Sequence, residues 1–364
     1  MTQLLAILVD TYRELSSRRL FWLSLVLSAL VVLAFALVGI NEEGVQIVGW
    51  TLDIPFLNTR NIEAGEFYKL TFYGLGVRFW LGWLACLLAL VSSAGLFPEM
   101  VAGGTVETLL ARPVARWRIY LFKFLGGLLF TALQVLVFCV ASFLVIGLRG
   151  NAWEPGIFVA VPMVTILYSY LFSVCALLGT WTRSGIAALL LTILFWGFLF
   201  MLNFSEQMVN SFRIARLEEL AAIDRTVEKR RQKDPAVDVS DLQAEREQGQ
   251  AGLRKLETAH DILFTVKTAL PKADETAALV QRWIVDAANL GAVADEDTQG
   301  DGEPSARRRG RGSFGTTRAR ESDVRKAIDR DMASRGVAWI VGTSLLFEAV
   351  VLALGCRHFA RRDF

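Results

Sequence analysis

The sequence is poor in the residues from which catalytic and metal sites are built. It has two histidines, His260 and His358, and its four cysteines all lie within or at the edge of apolar runs. That placement excludes a disulfide framework in the polar part and is typical of cysteine acting as a small apolar side chain. No G-x-x-x-x-G-K-[ST] loop and no H-E-x-x-H motif occurs, so the chain has neither a Walker phosphate site nor a zincin site.

Charge is also scarce, and it is unevenly placed. Only 20% of the 364 residues are charged, 54% are hydrophobic, and 47 of the 74 charged residues lie in 204–336. The net charge of +2 argues against a polycation that binds nucleic acid. A membrane protein with one polar insert fits this distribution, whereas a single soluble domain does not.

Six apolar windows are long enough for membrane-spanning helices, which need about 20 residues. They are 20–40, 74–97, 119–147, 157–180, 185–203 and 337–356. The predicted fold class is therefore an all-α membrane protein with six transmembrane helices. No histidine lies deep within a span, which argues against a Ser/His hydrolase inside the bilayer.

The Lys and Arg residues of the short connections predict the orientation. Eleven lie on the side of both termini and four on the other side, which places both termini in the cytoplasm. The predicted location is the cell (inner or plasma) membrane, with 204–336 extracytoplasmic. The predicted domains are 1–203 (N-terminal helix and spans one to five), the insert 204–336, and 337–364 (span six and a cytoplasmic tail).

Three further segments have helical periodicity. Residues 2–16 have apolar residues on one face, which is typical of an amphipathic helix on the membrane surface; a plain extension of span one is the alternative. Within the insert, 213–233 and 239–270 predict an antiparallel helical hairpin or coiled coil.

The rest of the insert has two different characters. Residues 274–290 form a shorter amphipathic pattern, and 291–320 contain an acidic block followed by an Arg/Gly block. The latter predicts a disordered linker that is attracted to lipid headgroups or to its own acidic block. RNA binding by this tract is disfavoured because we expect it to lie outside the cell.

The connection between spans two and three, 97–123, is the most informative polar segment. Its Gly103-Gly104 pair precedes Thr105, which is suited to cap a helix, and Glu107, whose carboxylate suits the first turn. Pro113 ends this short helix, and Arg116 marks the membrane edge. A short exposed helix between two spans is suited to docking a cytoplasmic partner; an ordinary interfacial loop is the alternative.

These residues resemble the type-2 ABC (ATP-binding cassette) exporter permeases. That family has six spans, cytoplasmic termini and a motif of the form E…GT-x-E-x-L-L…P-x-x-R…K between spans two and three. Here the motif reads Glu99, Gly104, Thr105, Glu107, Leu109, Leu110, Pro113, Arg116 and Lys123. The C-terminal FARRDF is similar to the ending of the branch that includes the nitrous-oxide-reductase maturation permease. The resemblance covers 1–203 and 337–364, and the long insert departs from it.

The resemblance implies a transport subunit rather than an enzyme. It implies a homo- or heterodimer of permease chains in membrane lipid, each docked on a separate ABC ATP-binding subunit that holds ATP and Mg. No cofactor is expected in this chain. ATPase coupling is implied for Glu99, Gly104, Thr105, Glu107, Pro113 and Arg116.

Three polar residues inside the spans are further candidates. Glu348 in span six is costly in hydrocarbon. We expect it either to line a substrate path or subunit contact, or to form a hydrogen bond with another span. Gln134 in span three is typical of interhelical hydrogen bonding. Arg78, near the end of span two, is expected to reach the interface.

The sequence therefore predicts the membrane-spanning permease of an ATP-driven exporter, coupled through a helix at about 104–113. One alternative is an ABC-type mechanotransmission protein that acts on an extracytoplasmic protein partner without moving a substrate. A structural anchor or sensor is another, although it leaves the 99–123 motif unexplained. The substrate stays open.

Overall fold

The chain is predominantly helical. A computed structural model describes residues 2–17, 19–41, 44–47, 50–52, 64–102, 115–234, 238–279, 324, 327–328, 330–331 and 335–361. Its α-helices are α1 (Thr2–Ser16), α2 (Arg19–Leu37), α3 (Ala64–Thr71), α4 (Cys86–Ser93), α5 (Leu96–Ala102), α6 (Arg116–Gly150), α7 (Ala160–Thr182), α8 (Gly185–Lys233), α9 (Ser240–Ala269) and α10 (Val337–Ala360).

Several of these helices have membrane length. Within the described residues, five helical stretches are long and apolar enough to cross a bilayer, namely Gly65–Val101, Arg116–Gly150, Pro155–Thr182, Gly185–Lys233 and Val337–Ala360. The stretches Leu8–Ser16 and Phe21–Leu37, bent by 72° at their junction, make a sixth if they are counted as one span. The prediction of a multi-pass, predominantly helical membrane protein is therefore confirmed.

A small sheet, which the sequence did not predict, follows α2. Strands β1 (Val38–Asn41), β2 (Gly44–Ile47) and β3 (Trp50–Leu52) are antiparallel in the order β1-β2-β3, and Val38 pairs with Ile47. Gly44 has a φ of 143°, a conformation that glycine adopts without steric cost. Strands of three or four residues are too short for their alternation to stand out in a sequence.

The second span also departs from a regular α-helix. Residues Phe72–Ala85 form a π-helical segment between α3 and α4. A wider helix places side chains at a different period, so the hydropathy of this window predicted a span without revealing its geometry.

The chain forms two compact units, each with its own packing. The first contains the described residues of Met1–Trp196, Ala273–Gln299 and Leu345–Phe364. Its core includes Phe67, Tyr68, Phe72, Val135, Phe138 and Ile157. The hydroxyl of Tyr68 donates to the carbonyl oxygen of Val38 at 2.9 Å and so fixes β1 to α3.

The second unit contains the described residues of Gly197–Lys272 and Gly300–Ser344. Here α8 and α9 run antiparallel, since Asp224 pairs with Arg246 at 2.9 Å whereas Arg230, further along α8, pairs with Asp241 at 3.8 Å, earlier on α9. Leu220, Ile223 and Leu242 form the apolar contact between them.

Three predictions for the insert meet different outcomes. Helix α8 is continuous from the apolar stretch through 213–233, so the structure has no helix end at the predicted boundary 203. Residues Ala273–Leu279 are described and mostly helical, while 280–290 of the predicted 274–290 helix lie outside the described residues. The tract 291–320, predicted to be disordered, also lies outside them.

Candidate functional site

The predicted coupling connection is described only at its two ends. Glu99 is exposed on α5, and Arg116 begins α6, where its Nη1 donates to the carbonyl oxygen of Ala360 at 3.4 Å. The other predicted coupling residues lie in 103–114, outside the described residues: Gly104, Thr105, Glu107 and Pro113.

The helices that enter and leave this connection meet at Tyr120. This side chain is fully buried on α6, with its ring centroid 4.7 Å from that of Phe97 on α5 and 6.1 Å from that of Phe359 on α10. Together with the bond from Arg116 to Ala360, these contacts join α5, α6 and α10 at one end of the first unit. A displacement of the connection would therefore reach three helices at once.

The first turns of α6 also hold α1. Lys123, which is only 4% exposed, donates from Nζ to Glu14 Oε2 at 2.9 Å. Thr11 packs against Gly126 so closely that a Cβ at this glycine would lie 2.8 Å from Thr11 Cγ2. The N-terminal helix is thus packed on α6 by a partly buried ion pair and a close helix contact.

Glu348 lies at the middle of α10 and is 8% exposed. Its Oε2 is 2.7 Å from the Ser169 hydroxyl on α7, and the same hydroxyl is 2.8 Å from the carbonyl oxygen of Ile166. The sequence left two roles open for Glu348, namely a substrate path or subunit contact, and a hydrogen bond to another span. The contact that the structure describes is a hydrogen bond to another helix.

The other two intramembrane candidates differ in how far they are described. Gln134 on α6 donates from Nε2 to the hydroxyl of Ser24 on α2, which is a hydrogen bond between two membrane-length segments. Arg78 lies in the π-helical segment, and its side chain is outside the part of the chain that the structure describes.

A buried ionic cluster, which the sequence did not predict, lies in the second unit. Glu206 on α8 has a fully buried side chain, and its Oε2 accepts a hydrogen bond from Lys267 Nζ at 2.8 Å. Arg335 donates from Nη2 to Oε1 at 2.6 Å and from Nη1 to Oε2 at 3.3 Å, and His260 Nε2 lies 3.4 Å from Oε1. A carboxylate at the start of the insert thus contacts side chains from its middle and from its end. We call Glu206, His260, Lys267 and Arg335 the Glu206 cluster.

The same region carries two further links. Asn210 donates to Asp331 Oδ2 at 2.7 Å, and Asp331 also lies 3.8 Å from Arg335. The backbone N–H of Lys272 donates to Ser344 Oγ at 3.0 Å, so the residue after the Leu270-Pro271 break is bonded to the first half of α10. These bonds connect the beginning and the end of the inserted sequence within one unit.

The comparisons with known proteins identify a family. The family model described as "Protein of unknown function (DUF2705)" matches residues 21–216, more than half of the chain. The chain belongs to this family. No curated protein and no solved structure matches it.

The matched region of this DUF2705 member contains some of the candidate residues and leaves out others. It includes the connection at 97–123, Gln134, Ser169 and Glu206, whereas Lys267, Arg335 and Glu348 lie outside it. Among the described residues, no group of three or more His, Cys, Asp or Glu is placed to hold a metal ion.

The Glu206 cluster had only one signal in the sequence. Glu206 is the first charged residue after the uncharged run 184–205, and a carboxylate at that place needs a partner. Its partners are 54 to 129 positions further along the chain, and no periodicity links them to it. Only the pairing of α8 with α9 and the return of the chain near Arg335 bring them together.

Proposed function

We propose that this protein is the membrane-spanning permease subunit of an ATP-driven exporter of the ABC type. The observation that carries the proposal is the connection at 97–123, with its E…GT-x-E-x-L-L…P-x-x-R…K pattern. Its flanking helices are the ones that meet α10 at Tyr120. The membrane-length helices and the missing Walker loop support a subunit that moves a substrate and leaves ATP hydrolysis to another chain.

The mechanism follows from these contacts. A separate ABC ATP-binding subunit holds ATP and Mg and docks on the helix at 104–113. When it closes on ATP, it pushes Glu107 and its neighbours against the ends of α5 and α6. The Tyr120 contacts carry that movement to α10, and the Lys123–Glu14 ion pair carries it to α1. The working unit contains a second permease chain, both termini are cytoplasmic, and the insert lies outside the cell membrane.

Purification of the tagged full chain from its native membrane tests the proposal. We expect an ATP-binding protein to co-purify and to show vanadate-sensitive ATPase activity. Glu107→Arg should abolish that association because it reverses the charge on the docking helix. Glu257→Arg is the matched control, since it makes the same change at an exposed position of α9.

Both variants should reach the membrane in wild-type amounts. If the wild-type chain is purified without an ATP-binding protein, or if Glu107→Arg retains normal coupled ATPase activity, the permease assignment or its coupling helix is wrong. Loss of the partner in the Glu257→Arg control as well would assign the effect to the insert instead.

A mechanotransmission role is the second candidate, and the continuity of α8 favours it. This helix has 49 residues and passes without a break from an uncharged run into the charged stretch of the insert. A subunit of this kind would carry ATPase motion to an extracytoplasmic protein without moving a substrate. Deleting 206–335 separates the two roles: a transporter keeps basal ATPase activity, whereas a transmitter assembles with its ATPase but loses its effect on the partner.

A further inference from the structure

Two buried glutamates of this chain have opposite surroundings. Glu206 accepts hydrogen bonds from Lys267 and Arg335, so its negative charge is compensated. Glu348, at 8% exposure, has the Ser169 hydroxyl as its hydrogen-bond partner among the described residues. An ionised carboxylate that is removed from water without a cation is very costly, and such a group takes up a proton instead.

Among the described residues, helices α7 and α8, which contact α10 around Glu348, supply no cation. Ser169 belongs to α7, whose titratable side chains are Tyr168, Tyr170 and Cys175. Helix α8 contacts this part of α10 through Phe195 and Phe347, and it has no titratable side chain between Gly185 and Asn203. On α10 itself, Arg357 is nine residues from Glu348, about 14 Å along the helix axis. The Lys272 ammonium donates to Thr343 Oγ1, which lies five residues before Glu348, about 7.5 Å along the axis.

The hydroxyl of Ser169 decides where the proton is. A serine hydroxyl has one proton to donate, yet Ser169 Oγ lies 2.8 Å from the carbonyl oxygen of Ile166 and 2.7 Å from Glu348 Oε2. If Glu348 were ionised, two acceptors would share one proton. If Glu348 is protonated, it donates to Ser169 Oγ and the serine donates to Ile166, so both short contacts are complete hydrogen bonds.

We infer that Glu348 and Ser169 form a proton-binding site at the middle of the membrane-spanning helices. In this conformation the carboxyl group of Glu348 is neutral and donates to Ser169. Glu348 lies about 17 Å from either end of α10, and a movement of α10 away from α7 would break its contact with Ser169 and expose it. Opening that contact would release the proton, and the packing of α10 on α7 is thereby linked to proton concentration.

Infrared spectroscopy of the purified full chain in lipid at neutral pH tests the inference. We expect a carbonyl band of a protonated carboxyl group in the wild-type protein and the complete loss of this band in Glu348→Gln. Ser169→Ala should retain the band but shift it to higher frequency because the carboxyl group loses its acceptor. Glu206→Gln is the matched control: it removes a buried but ion-paired carboxylate and should leave the band unchanged.

Each other outcome overturns the inference. A Glu348→Gln protein with an unchanged band would show that Glu348 is ionised, and a Ser169→Ala protein with an unshifted band would remove the serine from the site. Glutamine has the size and the donor of a protonated glutamate, so a Glu348→Gln chain that failed to assemble would also contradict a neutral Glu348. The readout needs no ATPase partner and is independent of the exporter assignment.

Discussion

Removing the charge of Glu206 should loosen the second unit. In Glu206→Gln, Lys267 and Arg335 would remain buried, with side chains only 6% and 12% exposed, and would lose the carboxylate between them. Glutamine is close to glutamate in size, so the substitution changes charge and leaves no cavity. The effect therefore measures the electrostatic contribution of the cluster.

The expected magnitude follows from the surroundings of the two cations. Removing one partner of a buried ion pair costs about 3–5 kcal/mol. Asp331, 3.8 Å from Arg335, still compensates part of the positive charge that Glu206 no longer neutralises. We therefore expect a loss of stability at the lower limit of this range, about 3 kcal/mol. At 1.4 kcal/mol per factor of ten, this corresponds to an increase of about 100-fold in the equilibrium constant for local opening.

Amide hydrogen exchange of the full chain in detergent measures that constant directly. Exchange should accelerate by about 100-fold in the parts of α8 and α9 around Glu206 and Lys267, with little change in α6 and α7. Glu257→Gln, at an exposed position of α9, should exchange at wild-type rates. If Glu206→Gln also exchanged at wild-type rates around Lys267, the cluster would contribute no stability and the reasoning would be refuted.

Three further substitutions test contacts of the two units. Gly355→Ala would place a Cβ against the Tyr120 hydroxyl, so we expect the free energy of unfolding to fall by about 1–3 kcal/mol. The loss should be smaller in a chain that also carries Tyr120→Phe, and equal losses would contradict the contact. Glu14→Gln leaves the buried Lys123 ammonium uncompensated, whereas Lys123→Met removes the buried charge. We therefore expect the melting temperature of the Glu14→Gln chain to fall further than that of the Lys123→Met chain, and the reverse order would contradict an ion pair at this lysine. Leu242→Ala, at a fully buried position, should cost about 2–5 kcal/mol, and faster hydrogen exchange should be confined to the α8–α9 pair.

The class of the protein was predictable because the membrane imposes a strong constraint on composition. In hydrocarbon the backbone must satisfy its own hydrogen bonds, so long uncharged runs such as those in α6 and α7 form helices whatever their neighbours are. The apolar windows therefore predicted membrane-length helices near their observed positions. The coupling residues at 104–113 stay a prediction, since they rest on a sequence resemblance and lie outside the described residues.

The short sheet and the π-helical segment were less predictable because weak local conformational preferences decide where they form. The sheet at 38–52 consists of strands of three or four residues, and the π-helical turn geometry of Phe72–Ala85 has no distinct hydropathy signature. The periodicity of 213–233 predicts a helix within the insert, but nothing in the chain between 203 and 213 breaks a helix, and α8 continues through both stretches. A boundary in hydropathy is not a boundary in backbone conformation.

The sequence by itself determined that this chain is a helical, multi-pass membrane protein and that Glu348 lies in a costly place within an apolar run. Glu206 was not among its candidates. The tertiary structure alone decided how each of these two carboxyl groups is accommodated. Helix pairing and the return of the chain gave Glu206 two cations from far along the sequence, whereas the partner of Glu348 among the described residues is the Ser169 hydroxyl. The cost of a buried carboxylate is a property of the residue and its medium, but the relief of that cost depends on partners that only the folded chain brings within hydrogen-bond distance.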